Sequence, residues 1–402
     1  MESSQRIDPL VGAVLDGRYR VDHPIATGGM STVYRGLDVR LDRPVALKVM
    51  DARYAGDQQF LTRFQREARA VARLKDPGLV AVYDQGFDGR HPFLVMELVE
   101  GGTLRELLRE RGPMPPHAVA AVLTPVLGGL AAAHRAGLVH RDVKPENVLV
   151  SDEGDVKIAD FGLVRAVAEA KITSTSVILG TAAYLSPEQV GTGDAGPRSD
   201  VYAVGILAYE LLTGVTPFTG DNPLSVAYQR MDHDVPPPSA AISGVPSQFD
   251  ELVARATARD PAERFADAQE MAAELDDVID ELGLPAFRVP APKNSAQHAA
   301  ATAHHDRLGA PVRHTREFTR GPDDWADDEP ATEVVSQRQR PPAPRTRPAR
   351  GDFAGIQIDE FEWARQRSKR VQLFWVLAVL ILTGLTAAGA WTLGSNLTGL
   401  LG

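Results

Sequence analysis

A dense cluster of polar residues separates two apolar runs at residues 137–150, GLVHRDVKPENVLV. Apolar runs of this kind are usually buried, whereas charged side chains are seldom buried without a partner. The cluster is therefore expected on a loop that leaves one buried element and enters the next. Such a loop is either an ordinary polar connection or a place where side chains do chemistry, and the remaining motifs have to distinguish the two.

The order of apolar patterns along the chain predicts an α+β fold. Strand-like runs come first, among them RYRVDHPIA, STVYRGLD, RPVALKVM and HPFLVMELV, with apolar and β-branched residues typical of strands. After about residue 102 the pattern becomes helical. The stretch at 199–214 starts with Ser-Asp and stops at Gly, as helices often do, and 265–283 is a last amphipathic helix. A small β-rich part therefore precedes a larger α-rich part.

The last hundred residues have a different character. Residues 286–370 are rich in Pro, Arg, Ala and Gln and poor in large aliphatic residues, which predicts a disordered juxtamembrane linker. Residues 371–393 carry no charge, and a helix of that length exceeds the ~30 Å hydrocarbon core of a bilayer. The alternative is a buried core helix, although core helices seldom lack a polar face over such a length. The basic stretch at 363–370 predicts a cytoplasmic side there, which leaves 394–402 as a short extracytoplasmic tail.

Composition excludes several classes of protein. The chain has no cysteine, which excludes a disulfide framework, a cysteine zinc site and a cysteine nucleophile. Its net charge of −10 speaks against nucleic acid as a partner. The N-terminus, MESSQRIDPL, lacks the basic start and apolar core of a secretory signal peptide. We therefore expect a single-pass protein of the cell (plasma) membrane whose folded part is cytoplasmic.

Four side chains in and after the polar cluster are suited to phosphoryl transfer. That reaction needs a carboxylate near the attacking hydroxyl, oxygen ligands for Mg²⁺ and a cation near the transferred phosphate. Asp142, Lys144 and Asn147 lie within six residues and can supply one of each. Asp160 follows a short apolar strand in VKIADFGL, and one Asp, one Asn and the phosphates suffice as ligands for Mg²⁺. His140 is expected to pack and to form hydrogen bonds, so Asp142 is the better base.

In this order, HRDVKPEN, DFG and SPE (186–188) resemble the catalytic domain of protein kinases. The wording of GGMSTVYRG and GTAAYLSPEQ is closer still to the bacterial eukaryotic-like (Hanks-type) Ser/Thr kinases of actinobacteria. The resemblance implies a two-lobed kinase domain at 19–285, with an N-lobe at 19–97 and a C-lobe at 98–285, after an N-terminal segment at 1–18.

What the resemblance implies about activity is specific. The cofactors would be ATP and Mg²⁺ or Mn²⁺, and the γ-phosphate would pass to Ser or Thr hydroxyls of proteins in signal transduction. Lys144, two residues after Asp142, is typical of the Ser/Thr members of the family. The implied partners are protein substrates, the chain itself through autophosphorylation, and the membrane.

The resemblance also assigns roles residue by residue. The implied catalytic residues are Lys48, Glu67, Asp142 and Lys144, the metal ligands are Asn147 and Asp160, and the structural residues are Arg141, Glu188, Asp200 and Arg264. In this interpretation Lys48 holds the α- and β-phosphates and pairs with Glu67. Asp200 braces the catalytic loop, and Arg264 pairs with Glu188.

The implied ATP site has two parts. Backbone groups of the linker MELV, at Glu97 and Val99, would bind adenine, and a Gly-rich loop would cover the phosphates. That loop comprises Ile25, Ala26, Thr27, Gly28, Gly29, Met30, Ser31, Thr32 and Val33. It departs from G-x-G-x-x-G, because only its middle glycine, Gly28, matches, and Ala26 and Ser31 replace the others. This departure bears on loop flexibility and nucleotide affinity, and it is the single feature that favours an alternative, a catalytically weak pseudokinase scaffold.

Regulation is expected in the segment KITSTSVILG. Thr173 and Thr175 align with the activating threonines of the family, which predicts autophosphorylation there. A phosphate carries a charge of about −1.5 to −2 and could pair with the guanidinium of Arg141. Small residues four apart in the apolar run, Gly384 and Ala388, could let two helices pack closely, so a homodimer is a further hypothesis.

Two further alternatives stay open at this point. A small-molecule phosphotransferase would share the aspartates and metal ligands, but such enzymes generally lack a DFG…SPE segment of this kind. A purely structural membrane anchor would need none of these spacings.

Overall fold

The computed structural model describes residues 8–161, 182–220 and 223–300. These residues form a β-rich N-lobe and a helical C-lobe, as the order of sequence patterns predicted. The N-lobe sheet is antiparallel, with the order β1-β2-β3-β4-β6-β5, and consists of β1 (Val14–Leu15), β2 (Tyr19–Thr27), β3 (Ser31–Asp38), β4 (Arg43–Met50), β5 (Val82–Asp88) and β6 (His91–Met96). A 3-10 turn (Ala52–Tyr54) and α1 (Gln58–Val71) lie between β4 and β5.

The central strand β4 is buried on both faces. Val45, Leu47 and Val49 point into one apolar cluster, whereas Ala46 and Met50 belong to the cluster that includes residues of α1. Because successive side chains of a strand alternate between faces, Lys48 shares the face of Ala46 and Met50. The pleat therefore directs this lysine toward α1 and the region between the lobes.

Helix α1 is fixed by its cap and by one apolar stripe. The Asp57 carboxylate accepts the backbone N–H groups of Gln59 and Phe60 and so satisfies two donors of the first turn. Its buried residues recur with helical spacing, at Phe60, Phe64, Ala68 and Val71. Glu67, half-buried beside this stripe, is thereby placed near the sheet.

The C-lobe contains a small antiparallel sheet and a group of helices. The sheet is β7 (Gly101–Thr103), β8 (Val148–Ser151) and β9 (Val156–Ile158), in the order β7-β8-β9. The helices are α2 (Leu104–Arg111), α3 (Pro116–Arg135), α4 (Pro187–Gly191), α5 (Pro197–Thr213), α6 (Pro223–Asp232), α7 (Pro238–Ala241), α8 (Ser247–Ala256) and α9 (Ala268–Leu282). Short 3-10 turns occur at Pro145–Asn147, Ala182–Tyr184 and Pro261–Glu263.

Two predicted helix ends agree with the structure. Helix α5 ends where Gly214 adopts a φ of 79°, and α9 ends where Gly283 adopts a φ of 58°. A left-handed residue of this kind closes the last turn, and glycine adopts it without steric cost. The predicted start at residue 199 is late by two residues, because Pro197 occupies the first turn of α5.

Helix α3 is the central helix of the C-lobe core. Among residues 8–161, 182–220 and 223–300, it is the one helix that is long and apolar enough to cross a membrane, and 61% of its apolar window is buried by the rest of the protein. It therefore has the character of a core helix. The predicted span at 371–393 lies outside the described residues, as do Thr173 and Thr175.

The predicted boundary at 285/286 differs from the structure. Residues 286–300, assigned to a disordered linker from their composition, pack on the C-lobe, where Val289 and Ser295 are buried. The remainder of the predicted linker, from residue 301 onward, lies outside the described residues. Composition missed this segment because its order comes from contacts with helices far away along the chain.

Candidate active site

One carboxylate of α5 binds the backbone of the polar loop at 140–147. Asp200, which is 1% exposed, accepts the backbone N–H of His140 on Oδ2 and that of Arg141 on Oδ1, both at 2.7 Å. His134 of α3 lies 2.9 Å from the same Oδ2. Hydrogen bonds to an ionised acceptor are roughly twice as strong as neutral ones. This buried aspartate therefore fixes the backbone directly before Asp142.

Two residues of the site adopt a left-handed backbone. Arg141 has a φ of 68° and Asp160 a φ of 63°. This region costs a side chain other than Gly about 1–3 kcal/mol, and it persists only where the surroundings impose it. For Arg141 the restraint is the bond to Asp200. Backbone strain of this kind clusters at functional sites, and here it occurs at Arg141 in the polar loop and at Asp160 opposite Lys48.

Asp142 receives a cation and an amide on one carboxylate oxygen. Lys144 Nζ lies 2.8 Å from Asp142 Oδ2, and Asn147 Nδ2 donates to the same oxygen at 3.1 Å. Asn147 also donates to the backbone carbonyl of Asp142 at 2.7 Å. The 3-10 turn at Pro145–Asn147 brings the chain back far enough for these contacts. Three of the residues predicted from the sequence therefore form one cluster.

His140 is structural in the described residues, as expected. Its ring is fully buried, lies 4.6 Å from the ring of Phe161, and its Nε2 is 2.9 Å from the carbonyl oxygen of Ala159. The backbone N–H of Ala159 donates in turn to the carbonyl of Asn147 at 2.8 Å. These bonds connect Ala159, the residue before Asp160, to the polar loop at 140–147, which we call the catalytic loop, although the two segments are separate along the chain.

Lys48 and Asp160 form an ion pair across the cleft between the lobes. Lys48 Nζ lies 2.8 Å from Asp160 Oδ1. Burial raises the pKa of Asp160, but the charge of Lys48 and its hydrogen bond outweigh burial, so the pKa lies below its ordinary value. Asp160 is therefore ionised at neutral pH. Among the described residues, the ion-pair partner of Lys48 is Asp160, and the expected pair with Glu67 stays a prediction.

The donor set fits a hard divalent cation. Because the Asn147 amide nitrogen donates to Asp142, its amide oxygen is the atom left to act as a ligand. The described residues contain no group of three or more His, Cys, Asp or Glu that could hold a metal. Mg²⁺ and Mn²⁺ accept carboxylate, amide, water and phosphate oxygens. Asp160 and Asn147 thus fit a metal that also needs oxygens from a phosphate ligand.

The loop between β2 and β3 is a hydrogen-bonded turn whose glycines have little or nothing in contact with their Cβ positions. The backbone N–H of Gly28 donates to the carbonyl of Ser31 at 2.9 Å, and Arg53 Nη2 donates to the carbonyl of Gly29. A Cβ on Gly28 would lie 3.4 Å from the Ser31 oxygen, whereas one on Gly29 would meet nothing within 4 Å. The loop departs from the glycine pattern of the family but keeps an open backbone.

The segment between the lobes is anchored at Glu97. Its backbone N–H donates to the Ala81 carbonyl at 2.8 Å, and its carboxylate pairs with Lys157 at 2.8 Å and accepts the Ala81 N–H at 3.2 Å. The Val99 N–H has no hydrogen-bond acceptor within the part of the chain that the structure describes. Val99, Met96 and Ala46 belong to one apolar cluster, against which Leu149 of β8 packs. An apolar cluster beside the Val99 backbone donor suits a flat heteroaromatic ring.

The remaining structural residues meet as expected. Arg264 forms a two-pronged ion pair with Glu188, with both N···O distances at 2.9 Å. Its side chain is fully buried and also donates to the backbone carbonyls of Ala258 and Arg198. Burial raises the pKa of Glu188, but hydrogen bonds from Arg264 and Ser199 lower it below the ordinary value. This pair ties α4 to the loop before α9.

One polar network was missed by the sequence analysis. Arg105 of α2 contacts Glu146 Oε1 at 2.8 Å, Glu210 Oε1 at 2.5 Å and the Tyr184 hydroxyl at 2.6 Å. Tyr184 also donates to Glu210. The one available signal was Glu210 itself, a charge in the otherwise apolar AVGILAYELL. A buried charge in a core helix requires a partner, but the sequence does not say which arginine supplies it.

The comparisons with known proteins agree with this geometry. The protein kinase domain family matches residues 19–275. The chain is 69% identical to serine/threonine-protein kinase PknL of Mycobacterium bovis and of Mycobacterium tuberculosis, covering 98% of each chain. It is 44% identical to serine/threonine-protein kinase PknB of Mycobacterium tuberculosis over 65% of this chain and 43% of that one.

The fold has a counterpart among solved structures. The Mycobacterium tuberculosis PknI kinase domain superposes with a TM-score of 0.54 at 28% identity, covering 67% of this chain and 99% of that one. The match to PknI and the family match both involve the two lobes described above. The chain therefore belongs to the protein kinase family and is a serine/threonine protein kinase.

Proposed function

We propose that this kinase transfers the γ-phosphate of ATP to Ser or Thr hydroxyls of proteins, with Asp142, Lys144, Lys48, Asn147 and Asp160 as the reacting set. The observation that carries the proposal is the pairing of Lys48 with Asp160 at 2.8 Å next to a loop in which Lys144 and Asn147 converge on Asp142. Positive charge, carboxylates and an amide oxygen in one place are what phosphoryl transfer requires.

The nucleotide would lie between the lobes. The apolar cluster at Val99 suits adenine. The open backbone at Gly28 suits the phosphates, because backbone amides can bind them without a side chain. Asp160 and Asn147 would hold Mg²⁺ or Mn²⁺, which offsets phosphate charge when bound. Lys48 would then leave Asp160 for the phosphates and for Glu67, since an anion of higher charge competes for the same ammonium group.

Asp142 is proposed as the base that orients the substrate hydroxyl and accepts its proton. Its position is fixed by the left-handed Arg141 and by Asn147, so little reorganisation is needed. Lys144 would steady the transferred phosphate from the side of the acceptor. The resemblance to Ser/Thr kinases supports these roles.

Transfer from labelled ATP to a Ser/Thr protein substrate tests the proposal with full-length protein. Lys48→Met and Asp142→Asn are expected to lower kcat by about 10²- to 10⁴-fold. Lys75→Met and Asp277→Asn are matched controls, because both residues are exposed. Wild-type transfer no greater than that of Lys48→Met and Asp142→Asn would instead favour a catalytically weak scaffold.

Autophosphorylation at Thr173 and Thr175 is proposed as the activating step. The support is their spacing in the sequence and the position of Arg141, whose backbone lies directly before Asp142. Mass spectrometry of protein made in a heterologous host should find phosphate on both threonines of the wild type and on neither in Lys48→Met. An active enzyme with both threonines unmodified would contradict this step.

Membrane anchoring through 371–393 is proposed from the sequence alone. The protein should sediment with membranes after carbonate washing, whereas a chain ending at residue 370 should not. Protease added to intact spheroplasts should spare the kinase domain. A homodimer through Gly384 and Ala388 would be contradicted by full-length protein that runs only as a monomer in detergent.

The proposed role is signal transduction through protein substrates that the site does not identify. The C-lobe offers a Ser/Thr kinase site, and the anchor would hold it at the inner face of the membrane. A phosphoproteome comparison of cells with wild type and with Asp142→Asn should reveal those substrates. An unchanged phosphoproteome would contradict the role.

A further inference from the structure

The segment at 286–298 lies beyond the family match, which ends at residue 275, yet it packs on the C-lobe. Val289 is 2% exposed and belongs to the main C-lobe core, and Ser295 is 1% exposed. The ring of Phe287 lies 5.0 Å from that of His117 on α3, at an edge-to-face angle. This stretch, which we name the docked tail, thus packs on the C-lobe outside the residues that match the family.

Two carboxylates of α2 receive the backbone of the docked tail. Glu110 Oε2 accepts the N–H groups of Lys293 at 2.8 Å and Asn294 at 3.3 Å, and Glu106 Oε1 accepts that of Ala296 at 2.8 Å. Residues 296–300 are helical, and the Ser295 hydroxyl accepts the N–H of His298 at 3.0 Å. The first amides of a helix lack internal acceptors and carry partial positive charge. Glu106 complements that charge at Ala296, and Glu110 binds the turn directly before the helix.

The docked tail also approaches β7 more closely than a side chain would permit. A Cβ on Gly102 would lie 2.4 Å from Pro292 Cγ and 2.7 Å from Ser295 Cβ, both well inside contact distance. Gly102 directly precedes Thr103, the N-cap of α2. The tail therefore covers the end of the segment that joins the lobes.

Glu106 connects the docked tail to that segment through its second oxygen. While Oε1 accepts the tail amide, Oε2 accepts the N–H of Thr103 at 2.8 Å and its hydroxyl at 2.9 Å, which completes the capping box of α2. The neighbouring Arg105 reaches Glu146 of the catalytic loop at 2.8 Å. A single short helix thus contacts the tail on one side and the catalytic loop on the other.

We propose that the docked tail sets the position of α2 and of the preceding segment for nucleotide binding, with Glu106 and Glu110 as positioning residues. The inference rests on the proposed function, because it assumes that adenine binds at Glu97–Val99. An eight-residue helix is marginal by itself, so its placement depends on what packs around it. Undocking lowers the fraction of protein competent to bind ATP and raises the apparent KM by the same factor.

Two changes in the full-length chain test the inference. In one, residues 289–298 are replaced by ten Gly and Ser residues, which keeps the length and removes the buried Val289 and the other side-chain contacts of this part of the tail. In the other, Glu110→Gln leaves the capping box intact and weakens two charged hydrogen bonds. The controls are a ten-residue Gly/Ser replacement of 321–330 and Glu251→Gln, which alters an exposed carboxylate of α8.

The expected result is a split between the two substrates. The KM for ATP should rise about fivefold in the tail replacement, the factor that corresponds to one net hydrogen bond, and by a smaller factor in Glu110→Gln. The KM for a Ser/Thr peptide should stay within twofold of wild type. Amide exchange of 104–111 should accelerate in both variants. The controls should match wild type in every measurement.

Either of two outcomes would overturn the inference. A tail replacement whose KM for ATP equals that of wild type would show that the segment does not position the site, whether or not the melting temperature falls. An equal rise in both KM values would show that the tail does not act on the ATP site in particular. Failure of the proposed function is distinguishable, because then the wild type itself would transfer no phosphate from ATP.

Discussion

Asp200→Asn replaces the carboxylate that holds the catalytic loop by an amide of the same shape. In the wild type, Oδ2 meets the N–H of His140 and the ring of His134, and Oδ1 meets the N–H of Arg141. An asparagine has only one acceptor oxygen. It should keep that oxygen on the side with two partners, which directs its own NH₂ group at the Arg141 N–H.

The cost follows from these contacts. The bond to His140 changes from a charged to a neutral acceptor, and the part-buried Arg141 N–H loses the bond to Asp200. Together these losses amount to about 3 kcal/mol of the free energy of unfolding. Because Asp200 helps to hold Arg141 at a φ of 68°, the backbone of Arg141 should relax and displace Asp142. A displacement of about 1 Å can lower a rate by about 10²-fold.

Urea denaturation and steady-state kinetics measure the two effects. A fragment of residues 1–300 includes every described residue and contains no tryptophan, so circular dichroism is the suitable probe. Asp277→Asn, an exposed residue of α9, is the control. The reasoning is refuted if Asp200→Asn unfolds within about 0.5 kcal/mol of wild type, the range of ordinary surface changes, or if it loses stability with an unchanged kcat.

Three further outcomes follow from the same contacts. Arg264→Ala should lower the free energy of unfolding by about 3–5 kcal/mol in urea, since it leaves the Glu188 carboxylate without its cation, and Arg264→Lys should lose less. The pKa values of Glu188 and Asp160 lie below their ordinary values. Their contribution to the free energy of unfolding is therefore complete above pH 4.5 and is lost as the pH falls below it. Thermal unfolding measured at a series of pH values should show this loss. Tyr184→Phe should cost about 1–2 kcal/mol in the same denaturation assay, because Arg105 and Glu210 each lose a partner.

The part of the site that is local in sequence was predictable. Asp142, Lys144 and Asn147 fall within six residues, so a single turn of backbone is enough to bring them together. Lys48 came from the resemblance, and the two-residue period of β4 explains why its side chain shares the face of Ala46 and Met50. The resemblance added Glu188 and Arg264, and their ion pair at 2.9 Å joins positions that no local rule would connect.

What the sequence did not predict depends on tertiary partners. The composition of residues 286–300 is poor in large aliphatic residues and therefore predicted a linker, but the segment packs through the buried Val289 and through two acceptors on α2 among other contacts. The contact of Lys48 with Asp160 at 2.8 Å depends on which anions occupy the cleft, and the pair with Glu67 stays a prediction. No periodic pattern of residues predicts these two contacts, because each depends on the relative energies of alternative tertiary contacts.

The placement of α2 gives a reason for the largely buried charges of Arg105 and Glu210 in the C-lobe. Adjacent residues of a helix point about 100° apart, so Arg105 faces the catalytic loop while Glu106 faces the docked tail. Arg105 and Glu210 are largely buried, with 18% and 6% of their side chains exposed. A buried ion pair of this kind often adds little net stability compared with apolar residues, but the contacts of Arg105 with Glu146, Glu210 and Tyr184 constrain its orientation. The network therefore fixes the rotation of α2, and with it the direction in which Glu106 offers its carboxylate to the tail.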